Sequence, residues 1–214
     1  MKLYNSNLSP YATRVRMQLY IKDIKAELVA VPSGGSHTPD YVKMNPLEKI
    51  PTLDDGGFFL PESSAIMEYL EDTHPTPSLR PADPKERAKM RVVFNIADQY
   101  ILTPLFELFE QVNPATRNPK IVDEHLTELT KALSGLEHFI SGGKYAVGSS
   151  PTLADCALVP ALFFVNAIGP ALGQSNLMGP KAKTYFAAIQ NDANASKVVQ
   201  EMGQALAEYM KQGA

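Results

Sequence analysis

The chain has 214 residues, enough for one large domain or two small ones that each bury a hydrophobic core. Its 20 basic and 23 acidic side chains leave a net charge of −3, which argues against nucleic acid as the main partner because phosphate binding requires a basic surface. A single cysteine, Cys156, and an N-terminus without a long apolar stretch predict a cytoplasmic protein that has neither a disulfide framework nor a signal peptide.

The N-terminal part of the chain predicts a βαβ unit. Residues 2–5 form a short predicted strand, and Ser9-Pro10 marks a helix start, since serine is a favoured N-cap and proline suits the first helical position. We expect this helix to extend to about Ile21. A second strand over residues 26–31 would then pair in parallel with the first through a right-handed crossover.

A hairpin and a second helix follow an irregular connection over residues 33–45, which holds a short helical turn. Two short apolar runs, residues 51–53 and 58–60, flank an Asp-Asp-Gly-Gly turn signal. Because Pro51 opens the first run and cannot donate to a ladder, it requires a sheet edge or a cis bond. The helix from Glu62 to about Asp72 presents a positive N-terminus, which is a ready site for an anion.

Four prolines within residues 74–84 indicate a linker, and beyond it the apolar pattern changes to the helical period. The predicted domains are therefore residues 1–76 and 85–214, with the linker at 77–84. The first apolar stripe consists of Met90, Phe94, Ala97, Ile101, Leu105 and Leu108, and Pro104 should kink the helix that carries it. The second apolar stripe consists of Val122, Leu126, Leu129, Leu133, Leu136 and Ile140.

A nearly all-apolar helix follows the pattern Thr152-x-x-Asp155, which predicts a capping box. We expect this helix to be buried on every side. Its polar residues and prolines interrupt it too often for a membrane span. Cys156 is predicted to be a small core residue of this helix. Two further helices, about 181–190 and 196–210, complete an all-helical second domain.

The order of these motifs resembles the cytosolic glutathione transferases. The run NPLEKIPTL at 45–53, the hairpin and Glu62-Ser63 at a helix start have the order and spacing of that family's first domain. The pattern from Gly148 to Asp155 resembles the capping motif of its helical domain. The resemblance implies an α/β thioredoxin-like N-terminal domain (βαβ then ββα) and an all-α C-terminal domain. It also implies a homodimeric enzyme that uses glutathione as co-substrate and holds no metal.

Ser9 is the candidate catalytic residue. It follows a strand of an α/β sheet, at the edge where such sheets bind ligands. With no evident histidine base, its hydroxyl is a poor nucleophile but a good hydrogen-bond donor, which would favour the thiolate of a bound thiol. The run from Ser9 to Val15 resembles the serine-type transferases (theta, delta, phi and zeta classes), whose serine activates glutathione. The alternative from the residues alone is that Ser9 only caps a helix.

The resemblance also implies how glutathione is held. Ile50 would pair its backbone with the cysteinyl unit across cis-Pro51. Ser63 and its amide would take the γ-glutamyl carboxylate, and Glu62 the γ-glutamyl ammonium. Without the resemblance, Glu62-Ser63 indicates only a helix start with an acidic first turn.

The glycyl carboxylate of glutathione needs a cation or another donor. His37 and Lys49 are the candidates, and Lys49 is preferred because Ser36 stands where many relatives carry their histidine. The remaining histidines lack metal-ligand spacing and are predicted to lie on the surface: His74, His125 and His138.

The second substrate is expected between the two predicted domains. Tyr11, Phe106, Phe109 and Asn113 are the candidate lining residues, and an apolar pocket would suit a small apolar electrophile. The main hypothesis is therefore a glutathione transferase that activates the thiol for attack on such an electrophile. Two alternatives remain: other glutathione-dependent chemistry (isomerisation, dehalogenation or ether cleavage), and a non-catalytic member that binds a ligand or partner.

Overall fold

The computed structural model describes residues 1–31 and 35–212, and its contacts divide the chain into two compact units. The first unit joins Met1–Leu79 to the C-terminal residues from Asn194 onward, and the second is Arg80–Ala193. The sequence predicts a helical domain over 85–214, so the grouping differs in its last helix, which belongs with the N-terminal unit. Glu201 of this last helix lies 3.2 Å from Arg16 Nε and accepts a hydrogen bond from the Tyr20 hydroxyl, and both of these residues belong to the first helix of the chain.

A four-stranded sheet in the order β2-β1-β3-β4 forms the centre of the first unit. Its strands are β1 (Lys2–Asn5), β2 (Glu27–Ala30), β3 (Thr52–Asp55) and β4 (Phe58–Pro61). β1 and β2 are parallel, whereas β1–β3 and β3–β4 are antiparallel, which confirms the predicted βαβ unit and hairpin. β3 begins one residue later than predicted. It continues to Asp55 because the turn is made by Gly56 and Gly57, which have φ of +62° and +95°.

The helices of the first unit are α1 (Pro10–Ile21), α2 (Pro39–Met44), α3 (Ser63–Thr73) and α9 (Ala193–Gln212). α1 has the predicted bounds, and its apolar residues Ala12, Val15 and Leu19 are buried. The predicted irregular connection over 33–45 begins at residues that lie outside the described ones, and its helical turn is α2.

A buried ion pair fastens α1 to α3. The Lys22 ammonium lies 2.8 Å from the Glu71 carboxylate, and both side chains are almost fully buried. The same ammonium donates to the carbonyls of His74 and Pro77, at 2.7 and 2.6 Å. Removing one member of such a pair typically costs about 3–5 kcal/mol, because the other charge is left buried alone.

The second unit contains α4 (Pro84–Asn95), a π-helical segment (Ile96–Ile101), α5 (Leu102–Glu110), α6 (Pro119–Phe139), α7 (Leu153–Ile168) and α8 (Pro180–Ile189). The sequence predicts one kinked helix where the structure has α4, the π-helical segment and α5. Pro104 has no N–H for the carbonyl of the preceding turn, and the wider turn lies just before it, where Leu102 N–H donates to the Ala97 carbonyl.

α7 begins with the predicted capping box. Asp155 Oδ2 accepts hydrogen bonds from the amide and hydroxyl of Thr152, at 2.8 and 2.9 Å. Its other oxygen accepts from the Ala146 amide at 2.8 Å and from the Tyr185 hydroxyl at 3.0 Å. Burial raises the pKa of the Asp155 carboxyl, and these four hydrogen bonds oppose that rise. The structure confirms that Cys156 is buried in this helix.

Glu137 of α6 caps the N-terminus of α8. Its carboxylate accepts from the amides of Lys181 and Ala182, at 3.0 and 2.8 Å. This contact requires a glycine at position 179, because a Cβ there would lie 2.5 Å from the Glu137 carboxyl carbon. Among all helices of the described residues, none has the length and apolar character needed to cross a membrane.

Candidate functional site

Three chain segments that carry predicted site residues adjoin the same end of the sheet, where β1 and β4 end and β3 begins. Tyr4 of β1 pairs with Thr52 of β3, which pairs in turn with Pro61 of β4. The connection to α1 follows β1, the Ile50-Pro51 bond directly precedes β3, and α3 directly follows β4. The sheet register therefore explains why segments far apart in the sequence are brought to the same end of the sheet.

Ser9 is the N-cap of α1 and is partly exposed. Its hydroxyl oxygen accepts a hydrogen bond from the Ala12 amide at 3.2 Å. A hydroxyl that accepts in this way keeps its own hydrogen for donation. Helix capping is thus present in the structure, and it leaves the Ser9 hydrogen available for a thiol, so the two roles considered for Ser9 are compatible.

The peptide bond between Ile50 and Pro51 is cis. Ile50 lies before the first paired residue of β3, outside the registers of both neighbouring ladders. Its backbone is therefore not part of the sheet pairing, and its pairing with an extended peptide stays a prediction.

Two buried side chains, Tyr41 of α2 and its C-cap residue Asn45, hold the segment around Pro51. The Tyr41 hydroxyl donates to the Lys49 carbonyl at 2.8 Å, and Asn45 Nδ2 donates to the same carbonyl at 2.7 Å. Both side chains also contact the Thr52 hydroxyl, at 2.8 and 2.9 Å. Neither Tyr41 nor Asn45 was predicted for the site. The available signal was the Asn-Pro pair at 45–46, since asparagine at a turn binds nearby backbone groups.

At the N-terminus of α3, the N-cap residue provides no side-chain cap. Its N-cap residue, Glu62, makes no capping hydrogen bond and has φ of +67°, whereas Ser9 caps α1 through its side chain. Ser63 is buried, and the Glu62 side chain is exposed. An uncapped helix start offers backbone amides to an anion, and an unusual φ at a non-glycine residue is frequent at functional sites.

The candidates for the glycyl carboxylate differ in their surroundings. The His37 ring is exposed and hydrogen-bonded to the Glu48 carboxylate. Lys49 is also exposed, and its ammonium has no ion pair with the described residues. Ser36 is partly exposed. The role of His37 or Lys49 stays a prediction, for which Lys49 offers the uncompensated charge.

The predicted residues for the second substrate belong to both units. In the first, the Arg14 guanidinium lies 4.5 Å from the centre of the Tyr11 ring. In the second, Phe109 packs edge-on against Phe164 of α7 at 6.0 Å, while Phe106 is exposed. Asn113 is an exposed turn residue whose Oδ1 accepts from the Ala115 amide at 3.0 Å. The common pocket remains a prediction.

No three or more His, Cys, Asp or Glu side chains form a candidate metal cluster within residues 1–31 and 35–212.

Comparison with known proteins gives matches over both units. Residues 3–78 match the glutathione S-transferase N-terminal domain, and residues 96–192 match the glutathione S-transferase C-terminal domain. The probable maleylacetoacetate isomerase 2 of Drosophila melanogaster is 35% identical over 75% of this chain and 72% of its own length. Glutathione S-transferase 1 of Dianthus caryophyllus is 34% identical over 76% of each chain.

The fold also matches a solved structure of maleylpyruvate isomerase, described as a bacterial zeta-class glutathione S-transferase. The TM-score is 0.78 at 28% identity, and the match covers 92% of this chain and 96% of that one. The sequence matches and the structural match each cover both units of the chain. The chain belongs to the glutathione S-transferase family.

Proposed function

We propose that this glutathione-dependent enzyme is an isomerase that interconverts the cis and trans forms of a small substrate. The substrate would carry a double bond conjugated to a carbonyl group, as the names of the maleylacetoacetate and maleylpyruvate isomerases imply for those relatives. The main hypothesis from the sequence was conjugation to an apolar electrophile. The names of these relatives support the isomerase alternative better.

The observation that carries the glutathione dependence is that the segments with Ser9, the Ile50-Pro51 bond and Glu62 all adjoin the same end of the sheet. Glutathione has a thiol, a peptide backbone, an ammonium group and two carboxylates. This end of the sheet would offer a partner for each of these: the Ser9 hydroxyl for the thiol, the Ile50 backbone for the peptide, and the α3 amides with Ser63 for the γ-glutamyl carboxylate. Glu62 suits the ammonium and Lys49 the glycyl carboxylate.

Bound glutathione would supply a thiolate that adds reversibly to an electron-poor double bond, so that the carbon–carbon bond can rotate before the sulfur leaves. Ser9 would donate its hydroxyl hydrogen to the sulfur, and the N-terminus of α1 would add its positive dipole. A free thiol ionises near pH about 8.5, and these two effects together would lower that pKa by about one to two units.

The test is the substitution Ser9→Ala, with Ser6→Ala, three residues earlier in the same loop, as a matched control. Thiolate absorbance of bound glutathione is titrated against pH in all three proteins. We expect Ser9→Ala to raise the thiol pKa and to reduce turnover at neutral pH by about 10- to 100-fold, with much less effect on glutathione binding. Equal thiol pKa values in wild type and Ser9→Ala would reduce Ser9 to a helix cap worth about 1 kcal/mol of stability.

Conjugation is the second candidate function, favoured by the similarity to the Dianthus caryophyllus glutathione S-transferase. The two reactions differ in the fate of glutathione, because isomerisation returns the tripeptide and conjugation consumes it. Incubation with a cis unsaturated diacid and a substoichiometric amount of glutathione therefore separates them. Complete conversion with unchanged glutathione supports the isomerase, and conversion that stops when glutathione is exhausted contradicts it.

We also propose that the enzyme is a cytoplasmic homodimer. Exposed aromatic side chains in each unit support association, notably Phe58 of β4 at 52% exposure in the first unit and Tyr100 of the π-helical segment at 59% in the second. Sedimentation at micromolar concentration tests the assembly, and a monomer there would contradict it.

A further inference from the structure

Arg16 is a buried cation of α1 that reaches back to the loop before its own helix. Its side chain is fully buried. One terminal nitrogen donates to Asn5 Oδ1 and to the Ser6 carbonyl, the latter at 3.1 Å. The other donates to the Thr13 hydroxyl at 2.9 Å. The planar fork of an arginine is suited to holding several groups in a fixed arrangement, which a lysine cannot reproduce.

Both branches of this fork lead to Ser9. The Ser6 carbonyl that Arg16 binds also accepts the Ser9 amide, at 3.1 Å. The Thr13 hydroxyl that Arg16 binds donates to the Ser9 carbonyl at 2.9 Å. The backbone amide and carbonyl of Ser9 are therefore each one group removed from the guanidinium. Two such tethers restrict the Ser9 backbone and with it the direction of the hydroxyl.

Arg16 is held from its other side by α9. Its Nε lies 3.2 Å from Glu201 Oε2, close enough for an ion pair although the two atoms are not aligned as a hydrogen bond. The other Glu201 oxygen accepts from the Tyr20 hydroxyl at 3.0 Å. A buried guanidinium without a counter-charge carries a large desolvation penalty, so Glu201 determines whether Arg16 can stay in this position.

We propose that Arg16, held by Glu201, is a positioning residue for Ser9, so that the docking of the C-terminal helix controls how well the enzyme activates its thiol. This inference rests on the proposed role of Ser9. It assigns to α9 an influence on the thiol that needs no contact between that helix and glutathione.

Two substitutions separate geometry from charge. Glu201→Gln removes a negative charge, which by Coulomb's law alone would favour the thiolate and lower the thiol pKa. Arg16→Lys keeps the positive charge but loses the fork. If positioning is the role, both variants raise the pKa of bound glutathione and reduce the thiolate fraction at neutral pH by about 3- to 10-fold. The sign of the shift in Glu201→Gln therefore distinguishes positioning from a field effect.

The control is Glu71→Gln, which weakens the buried ion pair with Lys22, at the end of α1 remote from Ser9. Urea unfolding of every variant identifies loss of stability as such, which we expect in all three. Only Glu201→Gln and Arg16→Lys should also change the thiol titration. If Arg16→Lys does not fold, Glu201→Gln and its control still provide the test.

Ser9→Ala, titrated in parallel, keeps the two proposals distinguishable. A changed thiol pKa in Ser9→Ala with an unchanged or lowered value in Glu201→Gln overturns the positioning role and leaves the proposed function intact. An unchanged value in Ser9→Ala overturns the role of Ser9 and this inference with it. Raised values in Ser9→Ala, Glu201→Gln and Arg16→Lys, with a wild-type value in Glu71→Gln, support both.

Discussion

The hydroxyl groups of Tyr41 and Thr52 lie 2.8 Å apart and join the short helix α2 to the first residue of β3. Thr52 directly follows Pro51, whose peptide bond with Ile50 is cis. The Tyr41 hydroxyl also donates to the carbonyl of Lys49, which directly precedes Ile50. One phenol therefore contacts the chain on both sides of the Ile50-Pro51 pair. The arrangement makes α2 part of the proposed glutathione site without requiring it to touch the ligand.

Tyr41→Phe should weaken glutathione binding. The substitution removes two hydrogen bonds from the segment around Pro51 while keeping the buried ring, and each such bond contributes about 0.5–1.5 kcal/mol. We expect affinity, measured by calorimetric titration, to fall by about 3- to 10-fold. Tyr69→Phe is the matched control, because its hydroxyl binds Asp55 at 2.8 Å, at the opposite end of β3. Equal effects of the two substitutions would contradict a local role of Tyr41.

Glu62→Gln should reduce retention on immobilised glutathione, because it removes the charge proposed to bind the γ-glutamyl ammonium. Hydrogen bonds to charged groups contribute about 1.5–3 kcal/mol, so the dissociation constant should rise by about 10- to 100-fold. Glu27→Gln makes the same change of net charge on the edge strand β2, where Glu27 pairs with Lys2. Retention of Glu62→Gln at the level of this control would exclude Glu62 from the site.

Tyr20→Phe should change how stability depends on alkaline pH. Burial, followed by the nearby Glu201 charge, raises the pKa of Tyr20 to about 12. A phenol with a raised pKa in the folded state contributes stability that is present below its unfolded pKa of about 10 and is lost as pH rises towards the folded value. The difference in unfolding free energy between wild type and Tyr20→Phe should therefore shrink between those two pH values. Urea titrations across this range measure it, and a constant difference would show that Tyr20 does not titrate differently on folding.

Gly179→Ala should destabilise the second unit. The new Cβ would lie 2.5 Å from the carboxyl carbon of Glu137 and displace the carboxylate that caps α8. Loss of a cap together with a local clash costs about 1–3 kcal/mol. Gly135→Ala, in the same unit, meets no atom within 4 Å. It should instead stabilise α6 by up to about 1 kcal/mol, since alanine is the better helix former. Thermal unfolding of the two variants should therefore shift in opposite directions.

The elements that the sequence predicted well are those with local signals. Ser9-Pro10 marked the start of α1 because capping and the fixed φ of proline act within one turn. The Thr152–Asp155 capping box was found for the same reason, and so were the cis-Pro51 segment and the start of α3. In each case the residues that decide the structure are neighbours in the sequence.

The contacts that the sequence did not predict are formed between distant segments. Tyr185 joins the Asp155 carboxylate from 30 residues away, and Glu201 reaches Arg16 from the far end of the chain. Neither pair follows from a periodicity, because an ion pair or a buried hydrogen bond between two elements depends on how those elements pack. The grouping of α9 with the first unit was missed for this reason. The sequence predicted a kink at Pro104 but not the π-helical segment upstream of the proline.

The positive φ of Glu62 implies that the protein is less stable than its fold permits. A non-glycine residue at φ of +67° is strained, at a typical cost of about 1–3 kcal/mol, whereas glycine adopts such angles readily. Glycine adds about 0.4–1 kcal/mol of chain entropy to the unfolded state, so Glu62→Gly should still stabilise the protein, by about 1 kcal/mol. The same variant would lose the carboxylate proposed to bind glutathione. Selection for a heat-resistant variant would then favour the very change that weakens ligand binding, and a glutamate at this position is expected to persist only where activity is selected together with stability.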